Sequence, residues 1–179
     1  MNHSKSVETL FTPFEIGNVK LANRIVMSPM TRNFSPNGVP GEDVAAYYRC
    51  RAENGVGLII TEGTFVNHPD VVSNQENVPH LYSEEALEGW SKVVEGVHEV
   101  EGKIFSQIWH MGARSHVNDY SKQEITELIE AFEQAAVNAQ KVGFDGIEIM
   151  AAHGFLIDQF FWDKTNARTD EYDESHPFC

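Results

Sequence analysis

Polar or conformationally free residues follow four short apolar segments of this sequence, and their types suit hydrogen bonding. The first segment is followed by Ser28, Pro29, Met30 and Thr31. The second ends in residues 61–64 (TEGT), Gln107 lies within the third, and His153 follows the fourth. The amide of Gln107 can donate and accept at once, which suits the imide edge of a planar ring. Gly63 would let such a ring approach the backbone closely.

The segments that would position these groups alternate between strands and helices. Apolar runs predict four strands, at residues 25–28, 57–63, 103–109 and 146–150. Between them, helices are predicted at residues 42–53, 84–101 and 122–142. Ser83 precedes the second helix as an N-cap, and Ser121 with Glu124 has the spacing of a capping box before the third. A small β-hairpin is predicted around Gly17 and Asn18.

This order of elements predicts an α/β fold with a parallel sheet and helices packed on it. In such folds the carboxyl ends of the strands meet at one edge, where ligands bind. A Rossmann-type sheet and a (β/α)8 barrel both fit the order. No G-x-G-x-x-G follows any of the strands, which weakens the dinucleotide-binding alternative. The groups at the four strand ends are therefore expected to line one shared pocket.

Composition and charge restrict the class of protein. The chain has 179 residues, of which 41% are hydrophobic, and a single domain over residues 1–179 is expected. Its 27 acidic and 13 basic residues give a net charge of −14, which argues against nucleic-acid partners. No apolar stretch approaches the roughly 20 residues of a membrane helix and the N-terminus has no apolar leader, so a cytoplasmic protein is expected. Cys50, Cys179 and the histidines lack ligand spacing, so no metal is expected.

Several longer stretches carry a resemblance to a known family. They are LFTPFEIGNVKLANRIVMSPMTR, GLIITEGT, KIFSQIWHMG and GFDGIEIMAAHGFLIDQFFWDKTNARTDEY. These stretches resemble the Old Yellow Enzyme family of flavin oxidoreductases. The resemblance implies a (β/α)8 TIM barrel that holds FMN at the carboxyl ends of its strands. It also implies hydride transfer from NAD(P)H to the flavin and then to the β-carbon of an α,β-unsaturated carbonyl, a small-molecule enone.

The same resemblance implies roles for individual residues. Ser28, Pro29, Met30 and Thr31 would pack against the flavin, with Thr31 near its O4 atom. Gly63 would lie beside the ring, and Gln107 would bind its pyrimidine edge. His153 would be one half of a grip on the substrate carbonyl oxygen. Met150 replaces the second substrate-binding residue, and Phe155 replaces the tyrosine that donates a proton to the α-carbon.

The resemblance covers only the first half of the family's barrel, about four βα units with the N-terminal hairpin. An open half-barrel would leave two strand edges and an apolar face exposed. The leading hypothesis is an FMN-dependent NAD(P)H oxidoreductase of the ene-reductase type, impaired by truncation and by Met150 and Phe155, that uses an enone or another electron acceptor. The alternative is a non-catalytic half-barrel scaffold that forms a homo-oligomer or pairs with a complementing half-barrel chain. A hydrolase on the same barrel has little support, because paired carboxylates and histidine clusters are lacking.

Overall fold

Six strands and four α-helices form the described part of the chain, which comprises residues 7–71, 76–112 and 116–173 of a computed structural model. The strands are β1 (Phe14–Ile16), β2 (Val19–Leu21), β3 (Val26–Met27), β4 (Leu58–Phe65), β5 (Ile104–Trp109) and β6 (Gly146–Ile149). The helices are α1 (Glu42–Glu53), α2 (Glu84–His98), α3 (Lys122–Val142) and α4 (Leu156–Phe161). The predicted alternation of strands and helices is confirmed, and α4 is an additional helix that the sequence did not indicate. Cys179 lies outside the described residues.

The strands form two sheets, as the sequence predicts. β1 and β2 pair antiparallel as a hairpin that turns at Gly17, whose φ of +57° suits glycine. β3, β4, β5 and β6 form one sheet in that order, and all neighbouring pairs are parallel. The sheet and its connecting helices therefore have the architecture of half a (β/α)8 barrel.

A large apolar core lies between this sheet and α1, α2 and α3. Its fully buried members include Tyr48 on α1, Trp90 and Val93 on α2, and Ile104 and Ile108 on β5. Burial of each such side chain contributes roughly 1.5–3 kcal/mol, so this layer supplies much of the driving force for folding. The opposite face of β5 carries Phe105, Gln107 and Trp109, because successive side chains on a strand alternate between faces.

The helix boundaries have local causes that are visible in the sequence. The Ser83 hydroxyl accepts from the Ala86 N–H, and Ser121 and Glu124 form the predicted capping box. Gly143 ends α3 in the left-handed conformation, with a φ of +98°. α2 ends at His98, three residues before the predicted boundary, because Glu101 adopts a φ of +59° and the chain turns there.

One edge of the sheet and the surface beside it are apolar. β6 pairs with β5 on one side and, within the described residues, with no strand on the other. A groove of about 620 Å³ runs between α3, α4 and the outer face of β6. Ile129, Ile149 and Phe161 line it, and each is close to half exposed. Among the described residues, no helix is long and apolar enough to span a bilayer.

The amino ends of the strands are joined by a cluster of charges around Asp145. Its carboxylate accepts from Lys103 Nζ at 2.7 Å, His98 Nε2 at 2.9 Å and the Ile104 N–H at 3.0 Å. Partial burial alone would raise the pKa of Asp145, but these donors outweigh it and hold that pKa below its usual value. The cluster thus stabilises the junction of α2, β5 and β6 while the carboxyl is ionised.

Asp145→Asn is expected to lower the free energy of unfolding by about 1–2 kcal/mol at neutral pH, because its donors lose a charged acceptor. A carboxyl with a depressed folded-state pKa stabilises the protein above its unfolded value of about 3.9, and this contribution is lost as the pH falls. The stabilities of wild type and variant in urea unfolding should therefore begin to converge below about pH 5 and meet once the pH has fallen through the depressed folded-state pKa of Asp145. Asp163→Asn, at an exposed site, is the matched control. A stability difference that persists in acid would contradict this role for the ionised carboxyl.

Candidate functional site

Three of the residues predicted to line a pocket form a row across the carboxyl end of the sheet. Gly63 on β4 is the direct cross-strand partner of Gln107 on β5. Met150 follows β6 directly, and Gln107 Nε2 lies 4.0 Å from its sulfur. Gly63, Gln107 and Met150 are named here the rim row. The parallel register of β4, β5 and β6 is what brings them together.

The side-chain amide of Gln107 retains capacity to bind a ligand. Gln107 is 6% exposed, and among the described residues the hydrogen bond of its amide N–H goes to a thioether sulfur, which is a weak acceptor. Two buried polar atoms nearby, Nε1 of Trp109 and Oε2 of Glu148, have no hydrogen-bond partner within the described residues. Glu148 is the cross-strand partner of Gln107 on β6. Unsatisfied buried groups of this kind are costly without a partner, so the site fits a ligand with polar edges such as FMN.

An aromatic cluster covers Gly63. The indole of Trp109 packs so closely that a Cβ on Gly63 would lie 2.5 Å from Cε3. Trp109 stacks on Phe65 with ring centroids 5.1 Å apart, and Phe155 meets it edge-on at 4.9 Å. Phe155 therefore has a packing role against Trp109, and Met150 belongs to the same cluster. A hydroxyl is lacking at position 155, so this side chain offers no proton there.

The segment after β3 lies beside the carboxyl-terminal half of β4. The backbone N–H of Arg32 donates to Oε2 of Glu62 at 3.1 Å, which ties this segment to β4 one residue before Gly63. Ser28, Met30 and Thr31 are exposed, and Pro29 is half-buried. Half of the Met30 surface is open, although it is a large apolar side chain. These residues are free to cover a ligand at the end of β3 and β4.

His153 lies in a neighbouring cleft. It has a φ of +63° and is exposed. The cleft has a volume of about 650 Å³, and it is also lined by His116, Asp158 and Trp162. Asp158 caps the turn by accepting from the Gly154 N–H at 2.7 Å. The structure thus places His153 beyond the end of β6, in this cleft and not in the rim row. Its role in binding a carbonyl oxygen stays a prediction.

Two polar pairs near the rim were not predicted from the sequence. Glu62 is wholly buried and bonded to Arg32. His110 is buried directly after β5, with its Nε2 3.4 Å from Nδ1 of His68. Burial, together with His68, lowers the pKa of His110 to about 4, so its imidazole is neutral at physiological pH. The partners lie 30 and 42 residues apart, and no local pattern marks either pair.

These geometries define a class of protein: a parallel β/α half-barrel with a candidate ring-binding site at the carboxyl ends of its strands. A sequence model of the NADH:flavin oxidoreductase / NADH oxidase family matches residues 9–121 and 116–176. The chain belongs to this family, and the expected resemblance to Old Yellow Enzymes is confirmed. Among the described residues, no group of three His, Cys, Asp or Glu side chains could hold a metal ion.

Curated and solved relatives agree with this assignment. The chain is 38% identical to 12-oxophytodienoate reductase 7 of Oryza sativa subsp. japonica, over 91% of this chain and 50% of the relative. It is similar to the old yellow enzyme homologue from Zymomonas mobilis, with a TM-score of 0.84, 35% identity, and 92% and 54% of the two chains covered. A structure of morphinone reductase in complex with tetrahydroNAD gives a TM-score of 0.85, 32% identity, and 93% and 55% coverage. The chain spans about half the length of the relatives it matches.

Gly63→Ala is expected to displace the Trp109 indole, because the new Cβ would lie 2.5 Å from the ring. The indole N–H signal of Trp109 in an NMR spectrum of the ligand-free protein should shift, and stability should fall by about 1–3 kcal/mol. Gly96→Ala on α2 is the matched control, since its Cβ would come no closer than 3.9 Å to Arg49 Cβ. That change should stabilise the protein by up to about 1 kcal/mol. An unmoved Trp109 signal in Gly63→Ala would disprove the close packing.

Proposed function

We propose that this chain is the flavin-ring-binding half of an FMN-dependent NAD(P)H oxidoreductase of the ene-reductase type. The observation that carries the proposal is the rim row, in which Gly63, Gln107 and Met150 meet across three adjacent parallel strands. Membership of the NADH:flavin oxidoreductase family supports the cofactor. The relative solved with tetrahydroNAD supports a nicotinamide nucleotide as the reductant.

Each group of the site has a distinct part in this proposal. FMN supplies the hydride-accepting and hydride-donating chemistry when it is bound. Gln107 donates to and accepts from the pyrimidine edge, since its amide has a donor and an acceptor. Gly63 has no side chain, so the Trp109 indole can pack directly on β4 beside the ring, and Thr31 donates its hydroxyl to a ring carbonyl. Residues 28–30 cover the ring and exclude water from it.

The substrate side of the site is poor in donors. His153 would donate to the carbonyl oxygen of an enone as negative charge develops there, and such a donor is worth about 3–4 kcal/mol in well-studied enzymes. The thioether of Met150 cannot supply a second donor, and the Phe155 ring cannot give a proton to the α-carbon. Water would have to supply that proton. Slow enone reduction is therefore expected, with better activity towards acceptors such as quinones or oxygen.

A second candidate function is a non-catalytic half-barrel that pairs with a complementing half-barrel chain or with a copy of itself. The exposed edge of β6 and the apolar groove beside it favour this candidate, because covering both would bury Ile129, Ile149 and Phe161. The net charge of −14 disfavours pairing of two identical copies and favours a less acidic partner. The two candidates differ in whether the rim row binds a flavin.

Titration with FMN distinguishes the two candidates. The proposed enzyme should quench FMN fluorescence and retain a yellow colour after gel filtration. Gln107→Leu should weaken FMN binding by about tenfold to a hundredfold, because a buried amide no longer meets the ring. Gln140→Leu, at an exposed site on α3, is the matched control and should bind FMN as wild type does. Wild-type protein that stays colourless would refute the enzyme and support the scaffold.

Restoring the two replaced groups should increase enone reduction. The double variant Met150→His with Phe155→Tyr gains a hydrogen-bond donor and a proton donor, and we expect at least about tenfold faster reduction by the FMN-loaded protein. The rate should be measured with cyclohexenone and NADPH or NADH, with and without added FMN. Phe161→Tyr, in the groove, is the control and should change nothing. A gain in protein without bound flavin would contradict the proposed roles.

A further inference from the structure

An irregularity in β4 sits at the centre of the candidate site. The pairing of β4 with β5 shifts register between Ile60 and Gly63, so Thr61 and Glu62 form a bulge. Thr61 Oγ1 accepts from the Gln107 N–H at 3.1 Å, and Glu62 Oε2 accepts from the Arg32 N–H at 3.1 Å. The bulge therefore bonds to the backbone on both of its sides. On one side the partner is Gln107 of the rim row, and on the other it is Arg32, which directly follows Thr31.

The carboxylate of Glu62 is held from several directions. Its side chain is 0% exposed, and Oε1 accepts from Arg32 Nη2 at 3.0 Å and from the Tyr48 hydroxyl at 3.3 Å. The same Tyr48 hydroxyl accepts from the Glu62 N–H at 2.9 Å. Burial first, and then the charge of Glu62, raise the pKa of Tyr48, so its hydroxyl keeps its proton. Glu62 consequently has one position relative to α1.

Arg32 is fixed in the same way on its other side. Its guanidinium lies over the Tyr47 ring, 3.6 Å from the centroid, and its side chain is 16% exposed. Burying an ion pair costs desolvation free energy, so the pair of Arg32 and Glu62 is weak evidence for a gain in stability. Its effect on the geometry of the neighbouring backbone is the more relevant property. Within this network, the bond from the Arg32 N–H to Glu62 Oε2 reaches the backbone of the segment after β3.

We propose that Glu62 is a positioning residue for the flavin site, whose carboxylate fixes residues 28–32 against the β4 bulge so that Thr31 and Gly63 face one ring. This inference rests on the proposed function. Glu62 does not touch the ring in this account, since its side chain points to Tyr48 on α1. It acts through Arg32 on one side and through its neighbour Gly63 on the other.

Three variants separate positioning from simple stabilisation. Glu62→Gln replaces one acceptor oxygen with an NH2 group, which would face a donor, either the guanidinium or the Arg32 N–H. Glu62→Asp keeps the negative charge beside Arg32, which favours folding. Its side chain is one methylene shorter, so the bond to the Arg32 N–H is lost. Arg32→Lys keeps the backbone N–H and the positive charge. Asp145→Asn is the matched control, because it removes a carboxylate at the opposite end of the strands.

Two measurements are made on each variant. In the ligand-free protein, the amide signals of Arg32 and Gln107 should shift in both Glu62 variants and stay in place in Asp145→Asn, and in Arg32→Lys the Gln107 signal should stay in place. In FMN titrations, the Glu62 variants should bind at least about tenfold more weakly, and Arg32→Lys should stay within a few-fold of wild type. Urea unfolding is recorded in parallel, so that affinity can be compared at equal stability.

The outcomes are distinguishable from failure of the proposed function. If wild type does not bind FMN, the proposed function fails, while unshifted Arg32 and Gln107 amides in the Glu62 variants would still overturn the positioning role. If wild type binds FMN and both Glu62 variants bind equally well, the positioning role is refuted. The positioning role would also be refuted if the loss of FMN affinity were proportional to the loss of unfolding free energy across all four variants, since Glu62 would then act on stability alone.

Discussion

Parallel hydrogen bonding between β4 and β5 is the interaction on which the rest of the structure depends. It aligns Ile59 with Ile104 near the amino ends of the strands and Gly63 with Gln107 near the carboxyl ends. The bulge between these two regions changes the register without breaking the ladder. The pairing of β4 with β5 therefore fixes the positions of both the apolar core on the helix-facing side and the polar groups at the carboxyl end of the sheet.

The two faces of the sheet have different chemistry because each strand alternates. Ile104, Ser106 and Ile108 face the helices, whereas Phe105, Gln107 and Trp109 face what would be the interior of a barrel. The helix-facing layer is a well-filled apolar core. The interior-facing layer combines aromatic rings with polar atoms that lack partners in the described chain, which is the composition expected of a ligand site.

The sequence predicted elements whose causes are local, and it missed features that depend on distant contacts. The bounds of α1 were predicted correctly, and Ser121 with Glu124 marked the start of α3. α4 begins after Phe155, which has no side-chain cap, and is six residues long, so neither capping nor periodicity could reveal it. The β4 bulge and the pairing of Arg32 with Glu62 arise from tertiary packing and leave no periodic signal. The sequence indicated which strand ends carry polar groups, whereas the cleft position of His153 follows from a backbone conformation it could not show.

The indole of Trp109 occupies the side of Gly63 where a side chain would otherwise stand. A planar guest at the rim row would therefore meet the indole of Trp109 at this position and not the bare backbone of Gly63. Phe65 and Phe155 hold the indole from two directions, one stacked and one edge-on. The wall offered to a guest at this end of β4 is therefore aromatic, because glycine at position 63 leaves the strand open to a tryptophan from its neighbour.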